Sequence, residues 1–236
     1  MSLNLILKNI ISCKLRPIRI SIKDCIAESG HTYGVNGSHF FIKALQECND
    51  DYDRLFSYLQ SYYARFRVLS FDEAVEAKSQ QNERKMYFLP WEEERIRPLS
   101  KFMSSHKFGP TDDESLKLII MRLLNLLKEI KFNGFRQFGV DKGLPQVVKM
   151  WNNGNFKYLV KDGQHRLAIA SYLKKEKIWV RYADHFVSVI ETKNISKWAK
   201  VRTGLVTKEE ALKYFNIIFN NKYPCASGTL YGDKIN

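Results

Sequence analysis

The run from Phe156 to Ala170 constrains this chain most, because it reads as a strand, a tight turn and the start of a helix with nothing in between. Phe156, Tyr158 and Val160 alternate with other residues, Asp162-Gly163 is a turn dipeptide, and Leu167, Ala170 and Leu173 recur at helical spacing. Just upstream, Val147 to Trp151 reads as a second strand. Asn152-Asn153-Gly154-Asn155 joins the two strands with residues suited to a hairpin turn. The junction also gathers Gly163, Gln164, His165 and Arg166 where a helix N-terminus offers backbone N–H groups. A guanidinium beside such a terminus makes an anion site, and phosphate is the anion most often held there.

The rest of the chain supplies elements to surround this unit. Leu15 to Lys23 alternates around Pro17, with Ile18, Ile20 and Ile22 on one side, and predicts a strand near a sheet edge. Gly30 to Ser38 reads as a loop. From Ser38 to about Lys78 the pattern is helical and aromatic (Phe40, Phe41, Leu45, Leu55, Phe56, Leu59, Tyr62, Tyr63, Phe66), and its rings suit a core better than a base-stacking surface. Ser70 to Glu73 fits a capping box, and the polar run Lys78 to Lys85 reads as a linker. Met86 to Trp91 is a short apolar stretch, Ile96 to Phe102 reads as a strand, and Phe108-Gly109-Pro110 is a break.

A second capping box, Thr111 to Glu114, opens the clearest helix. Leu116, Ile119, Ile120, Leu123, Leu124, Leu127 and Ile130 form a broad stripe expected to lie on a sheet, and Asn133-Gly134 ends the helix. The motif helix runs from Gln164 to about Lys174. Ile178 to Tyr182 and Phe186 to Ile190 read as strands. Thr207 to Glu210 is a third capping box, opening a helix that buries Ala211, Leu212, Phe215, Ile218 and Phe219. After Pro224 the tail reads as loose.

At 236 residues with 44% apolar and 13% aromatic content, the chain is large enough for a full core domain with an added subdomain. The formal charge of +13 favours anionic partners, although many basic residues interleave with acidic ones as on a solvated face. Cys13, Cys25, Cys48 and Cys225 form no CxxC pair and have no nearby histidine at ligand spacing, which signals neither zinc nor redox chemistry and reads as reduced, structural cysteine. Leu3 to Ile11 is interrupted by Asn4, Lys8 and Asn9 and leads to no small-residue cleavage site. No apolar run approaches the roughly 20 residues of a membrane span. The expected location is the cytoplasm.

The helix, Asn133-Gly134-Phe135, the hairpin and Asp162-Gly163-Gln164-His165-Arg166-Leu167-Ala168 together resemble the ParB and sulfiredoxin superfamily over roughly Glu93 to Ile190. More narrowly, Phe108-Gly109-Pro110, Gly204-Leu205-Val206-Thr207 and Glu210-Ala211-Leu212 are similar to ParB-like proteins found near bacterial polysaccharide genes. The resemblance implies an α+β fold. Its ParB/sulfiredoxin-like core, a small mixed sheet with packed helices, would occupy 86–190. A mainly helical N-terminal region with an early strand would span 1–85, and a C-terminal helix and tail 191–236.

The resemblance also implies a phosphate-holding turn at Gly163, Gln164, His165 and Arg166. ParB boxes carry Gly-Glu-Arg-Arg around CTP. Sulfiredoxin boxes carry Gly-Cys-His-Arg, so Gln164 stands where the reactive cysteine would be and sulfinic acid repair is not expected. Free serine kinases carry Asp-Gly-His-His-Arg, matched at Asp162, Gly163, His165 and Arg166. The spelling Asp-Gly-Gln-His-Arg itself resembles DNA-sulfur-modification regulators. The implied ligand is a nucleoside di- or triphosphate with magnesium, with a small-molecule acceptor if a phosphoryl group is transferred.

Several roles stay open on the residues alone. Arg166 can fork onto phosphate oxygens or pair with Asp162. His165 can donate to a phosphate or act as an acid, and Gly163 can admit a ligand or simply turn the chain. Asp162 can hold magnesium or orient Arg166. The kinase resemblance implies a carboxylate base near the start of the preceding helix, where Asp112, Asp113 and Glu114 stand; helix capping is the competing role. His31, His39, His106 and His185 are scattered and read as non-catalytic, while Arg97, Lys101 and His106 could line the pocket by family analogy. Three functions compete: a nucleotide-binding hydrolase or kinase, a DNA-binding protein or nuclease, and a non-catalytic metabolite-binding accessory protein. Against partition-type DNA binding, no helix-turn-helix follows Arg166.

Overall fold

The structure, a computed structural model, describes residues 17–65, 89–92, 112–135, 143–183 and 189–221. The Ser70 box, the Lys78–Lys85 linker, the strand at Ile96, Phe108-Gly109-Pro110, both chain ends with Cys13 and Cys225, and Arg97, Lys101, His106 and His185 lie outside the described residues. In chain order the strands are β1 (Ile18–Ser21), β2 (Cys25–Ala27), β3 (Gln146–Asn152), β4 (Asn155–Asp162), β5 (Lys177–Tyr182) and β6 (Val189–Glu191). The helices are α1 (Phe40–Cys48), α2 (Tyr52–Arg65), α3 (Asp113–Asn133), α4 (Gln164–Tyr172), α5 (Ala199–Arg202) and α6 (Lys208–Phe219).

The strands form one mixed sheet in the order β1-β5-β3-β4-β2, with β6 also pairing with β3. The β3–β4 and β1–β5 pairs are antiparallel, whereas β2 runs parallel to β4, and β5 and β6 run parallel to β3. The fold is α+β. Asn153 (φ 44°) and Gly154 (φ 85°) make the two-residue turn of the β3–β4 hairpin, both with the positive φ that matches strand twist. At the sheet's end, β1 begins directly after Pro17, where a missing N–H costs the ladder nothing.

Both sheet faces are covered. On one, Val147, Val160, Ile178 and Val180 meet the buried sides of α1, α2, α3 and α4. On the other, Val148, Met150, Leu159 and Ile190 meet Leu89, Trp91, Trp198 and the inner side of α6. The Phe and Tyr residues of the helical stretch are largely core, as expected, with Phe40, Phe41 and Tyr63 at most 3% exposed.

Four local expectations need correcting. The helical stretch from Ser38 is divided at Asn49-Asp50, whose φ values of 51° and 63° close α1. The cap of α3 is Asp112 rather than Thr111, its carboxylate accepting the Ser115 N–H at 2.7 Å. The apolar stripe of α3 is met mainly by α2 and α4 rather than by the strands alone. Gln60 of α2 donates to Asp113 at 2.9 Å, and Lys131 pairs with Asp50, so α2 and α3 lie antiparallel. In α6, Thr207 and Glu210 form the expected reciprocal box, but Leu212 faces outward and Tyr214 takes the inner position.

One buried polar group stands out. β4 carries one residue more than β3 between the Val147–Val160 and Gln146–Asp162 pairs, a β-bulge at Lys161 immediately before the motif. The Lys161 ammonium meets the carboxylates of Glu28, just past β2, and Glu92. All three side chains are at most 7% exposed. Burial alone would lower the lysine pKa, but the two carboxylates outweigh it and hold it above its usual value. Lys161 thus ties together β2, β4 and the segment 89–92. Removing one member of such a group strands the others in a low-dielectric interior. Lys161→Ala is expected to cost about 3–5 kcal/mol in urea unfolding, a loss of the size seen when a buried pair is broken.

Candidate functional site

The candidate site sits where the parallel strands β2 and β4 end, the edge of an α/β sheet at which ligands commonly bind. Gly163 caps α4 with φ +83° and no side-chain cap. A Cβ at this position would lie 2.8 Å from Pro145, so glycine serves both the left-handed backbone and the close approach. The Gly163 N–H donates to its neighbour's Asp162 Oδ1 at 2.7 Å. Asp162 therefore braces the turn, and the first turn of α4 presents its backbone without a capping side chain.

On the inner side of the junction, Gln164 and His165 meet α1. The His165 ring stacks on Phe41 with centroids 4.7 Å apart. His39 caps α1, its Nδ1 accepting the Phe41 N–H at 3.3 Å, and Gln164 reaches the same imidazole. His31 lies edge-on to His39 at 5.9 Å, with its Nδ1 2.8 Å from Ser29 Oγ and its Nε2 3.5 Å from Tyr62 Oη. Burial pushes the His31 pKa down to about 4. Burial, then His31 and His165, hold His39 well below the usual imidazole range, with Gln164 opposing. Both imidazoles are neutral at pH 7. The loop before α1 is clamped to α4 because Ser171 Oγ accepts the Gly34 N–H at 2.9 Å.

On the outer side stands a group of arginines. Arg166 donates to the Gly143 carbonyl, and the Arg181 guanidinium comes within 4.0 Å of where a Cβ on Gly143 would lie. Burial lowers the Arg166 pKa; Asp162 opposes, Arg122 of α3 adds to the lowering, and Glu129 opposes. Arg166 and Asp162 thus act on each other through space, each hydrogen-bonded to a different backbone group. Among the described residues, the guanidiniums of Arg122, Arg166 and Arg181 gather with the carboxylates of Asp162 and Glu129 beside a helix N-terminus that has no side-chain cap. Such a corner can hold an anion bearing more than one negative charge.

The structure places Asp162, Gly163, Gln164, His165 and Arg166 together at the junction. Glu114 is exposed in the first turn of α3, about 12 Å along the helix axis from Arg122 at 1.5 Å per residue. Asp112 caps α3, and Asp113 accepts from Gln60. Sequence reasoning passed over Arg122 and Arg181 at the site, and His31 and His39 behind it. Long-range contacts bring those residues in: the β3–β5 pairing places Arg181, the α3–α4 contact Arg122, and the β2–β4 pairing and α1–α4 contact the two histidines. Comparisons of the chain with known protein families, with characterised proteins and with solved structures find no match. Among the described residues no group of three or more His, Cys, Asp or Glu could hold a metal ion.

Gly163→Ala meets both the positive φ and the Pro145 contact, and should destabilise the protein by about 1–3 kcal/mol in chemical unfolding. The buried imidazoles impose a pH dependence. Because their folded pKa values lie below the ordinary 6.5, the unfolded chain binds more protons as pH drops. Their contribution to stability is complete above about pH 6.5 and drains as pH falls toward 4. The limiting slope is about 1.4 kcal/mol per pH unit for each histidine. Urea midpoints between pH 7 and 5 should fall accordingly, and His31→Asn should remove about one proton from that slope.

Proposed function

We propose that this chain is a phosphate-binding protein of ParB/sulfiredoxin type, taking a nucleoside di- or triphosphate at the start of α4. The observation that carries the reading is the uncapped N-terminus of α4 with Arg166 beside it, in a cluster that also includes Arg122 and Arg181. The first-turn amides supply directional donors, and the guanidiniums supply fixed charge that matches paired phosphate oxygens. The β3–β4 hairpin running into the glycine-capped α4 carries the residues on which the resemblance rests. Magnesium would accompany the nucleotide, and Asp162 is the junction carboxylate that would meet it.

Phosphoryl transfer or hydrolysis at such a site would rest on positioning and charge neutralisation. His165, held against Phe41, is the group of the motif able to move a proton. Glu114 would need a substrate reaching along α3 to act as a base. Among the described residues no helix is long and apolar enough to cross a membrane; the proposed source of ligand is the cytoplasmic nucleotide pool.

Calorimetric titration with ATP, ADP, CTP, GTP and inorganic pyrophosphate, each with magnesium, tests the reading. At least one should bind the wild type, and Arg166→Ala should weaken it by about 10-fold or more, the loss of a charge-assisted pair. If none binds, or if Arg166→Ala binds as tightly as wild type while melting normally, the reading is wrong.

A further inference from the structure

The far end of the β3–β4 hairpin carries a surface that the phosphate site does not use. On β3, Lys149 and Trp151 point to the same side as Tyr158 and Phe156 of β4, their cross-strand partners. β6 extends the row, with Val189 paired with Lys149, and Glu191, itself paired with the Lys193 ammonium, beside Trp151. This is the face covered elsewhere by α1–α4, but here it emerges into solvent: Phe156 is 39% and Val189 44% exposed. Trp151 and Phe156 are nearly parallel, 12° apart with centroids at 5.9 Å, and Tyr158 stands edge-on to Phe156 at 5.5 Å. The Lys149 ammonium lies 4.5 Å from the Trp151 ring centroid and 4.4 Å from that of Phe156.

Two or three aromatic side chains would suffice to stabilise a hairpin, and a lysine could merely shield them. The combination here has a further property: ring faces and a cation share one exposed sheet surface on a chain of charge +13. Rings alone would suit any apolar partner, whereas rings with a central ammonium and a net basic chain suit a polyanion that carries flat aromatic groups. Single-stranded nucleic acid is the polymer that offers both. We propose that this hairpin face binds single-stranded nucleic acid, with bases stacking on Phe156 and Trp151 and Lys149 meeting the intervening phosphate. Rings and an ammonium read base faces and phosphates, so the site takes RNA and DNA alike. It is independent of the α4 site, and duplex, whose bases are already stacked, is a poor ligand.

Fluorescence polarisation with labelled 12-mers of oligo(dT) and oligo(rU), using the full chain, tests this, with tryptophan quenching as a second readout. Both strands should bind with affinities within about threefold of each other, and more tightly than a 12-base-pair duplex. Phe156→Ala should weaken binding by about 10-fold, within the range for loss of one stacked base. Phe156→Leu, which keeps an apolar side chain on the strand, should lose nearly as much, separating stacking from folding. Lys149→Gln should lower the salt slope by about 0.7, the loss of one single-strand phosphate contact. Arg166→Ala should leave oligonucleotide binding intact. The proposal is overturned if neither strand binds or if duplex binds better. It is also overturned if the Phe156 and Lys149 variants bind as wild type, or if those variants change only the oligomeric state in light scattering.

Discussion

Everything at the candidate site depends on the approach of Gly163 to Pro145. A side chain there would come to 2.8 Å of the proline, so the backbone of β4 can pass directly into α4 only because this residue is glycine in a left-handed conformation. That contact sets where α4 begins, and with it the direction of the first-turn amides. The remaining structure holds the contact in place. The bulge at Lys161 re-aims the end of β4, and the Lys161–Glu28–Glu92 group binds that end to β2 and to segment 89–92. Ser171 clamps α4 to the loop ahead of α1.

The two sides of the junction divide the labour. Inward, Gln164 and His165 are absorbed into a cluster of rings and neutral imidazoles that is closer to core than to solvent. Outward, Arg166 donates to Gly143, with Arg181 close to the same glycine; burial lowers the Arg166 pKa, Asp162 opposes that, and Arg122 adds to the lowering. Guanidiniums beside a helix start without a side-chain cap distinguish the corner from an ordinary helix start, and a negatively charged ligand would offset the Arg122 effect on Arg166. The same arrangement separates binding from catalysis. The charge is in place for an anion, while Glu114 lies well along α3 from the arginines.

Local signals in the chain were the legible part. Asn153-Gly154 announced its hairpin, Thr207 and Glu210 their capping box, and the motif its strand-to-helix turn, because each rests on residues adjacent in sequence. Long-range placement was not legible. β2 is three residues long and buried at every position, so it shows no alternation, yet its parallel pairing with β4 delivers Glu28 and His31 to the site. His39 is an uncommon helix cap and looked isolated. Arg122 sits on the exposed side of an amphipathic helix, indistinguishable in sequence from a solvated charge. The stripe of α3 is buried as read, except that Leu126 is buried and Leu124 only partly so, and periodicity does not say whether a sheet or other helices cover it.

The most direct measurement of the central claim is a titration of the ¹⁵N-labelled protein with magnesium pyrophosphate, followed by backbone amide shifts. The account expects the largest changes at the amides of Gln164, His165 and Arg166, with the Arg122, Arg166 and Arg181 side-chain signals moving at the same ligand concentration. Shifts confined to other surfaces, or none at millimolar pyrophosphate, would contradict it.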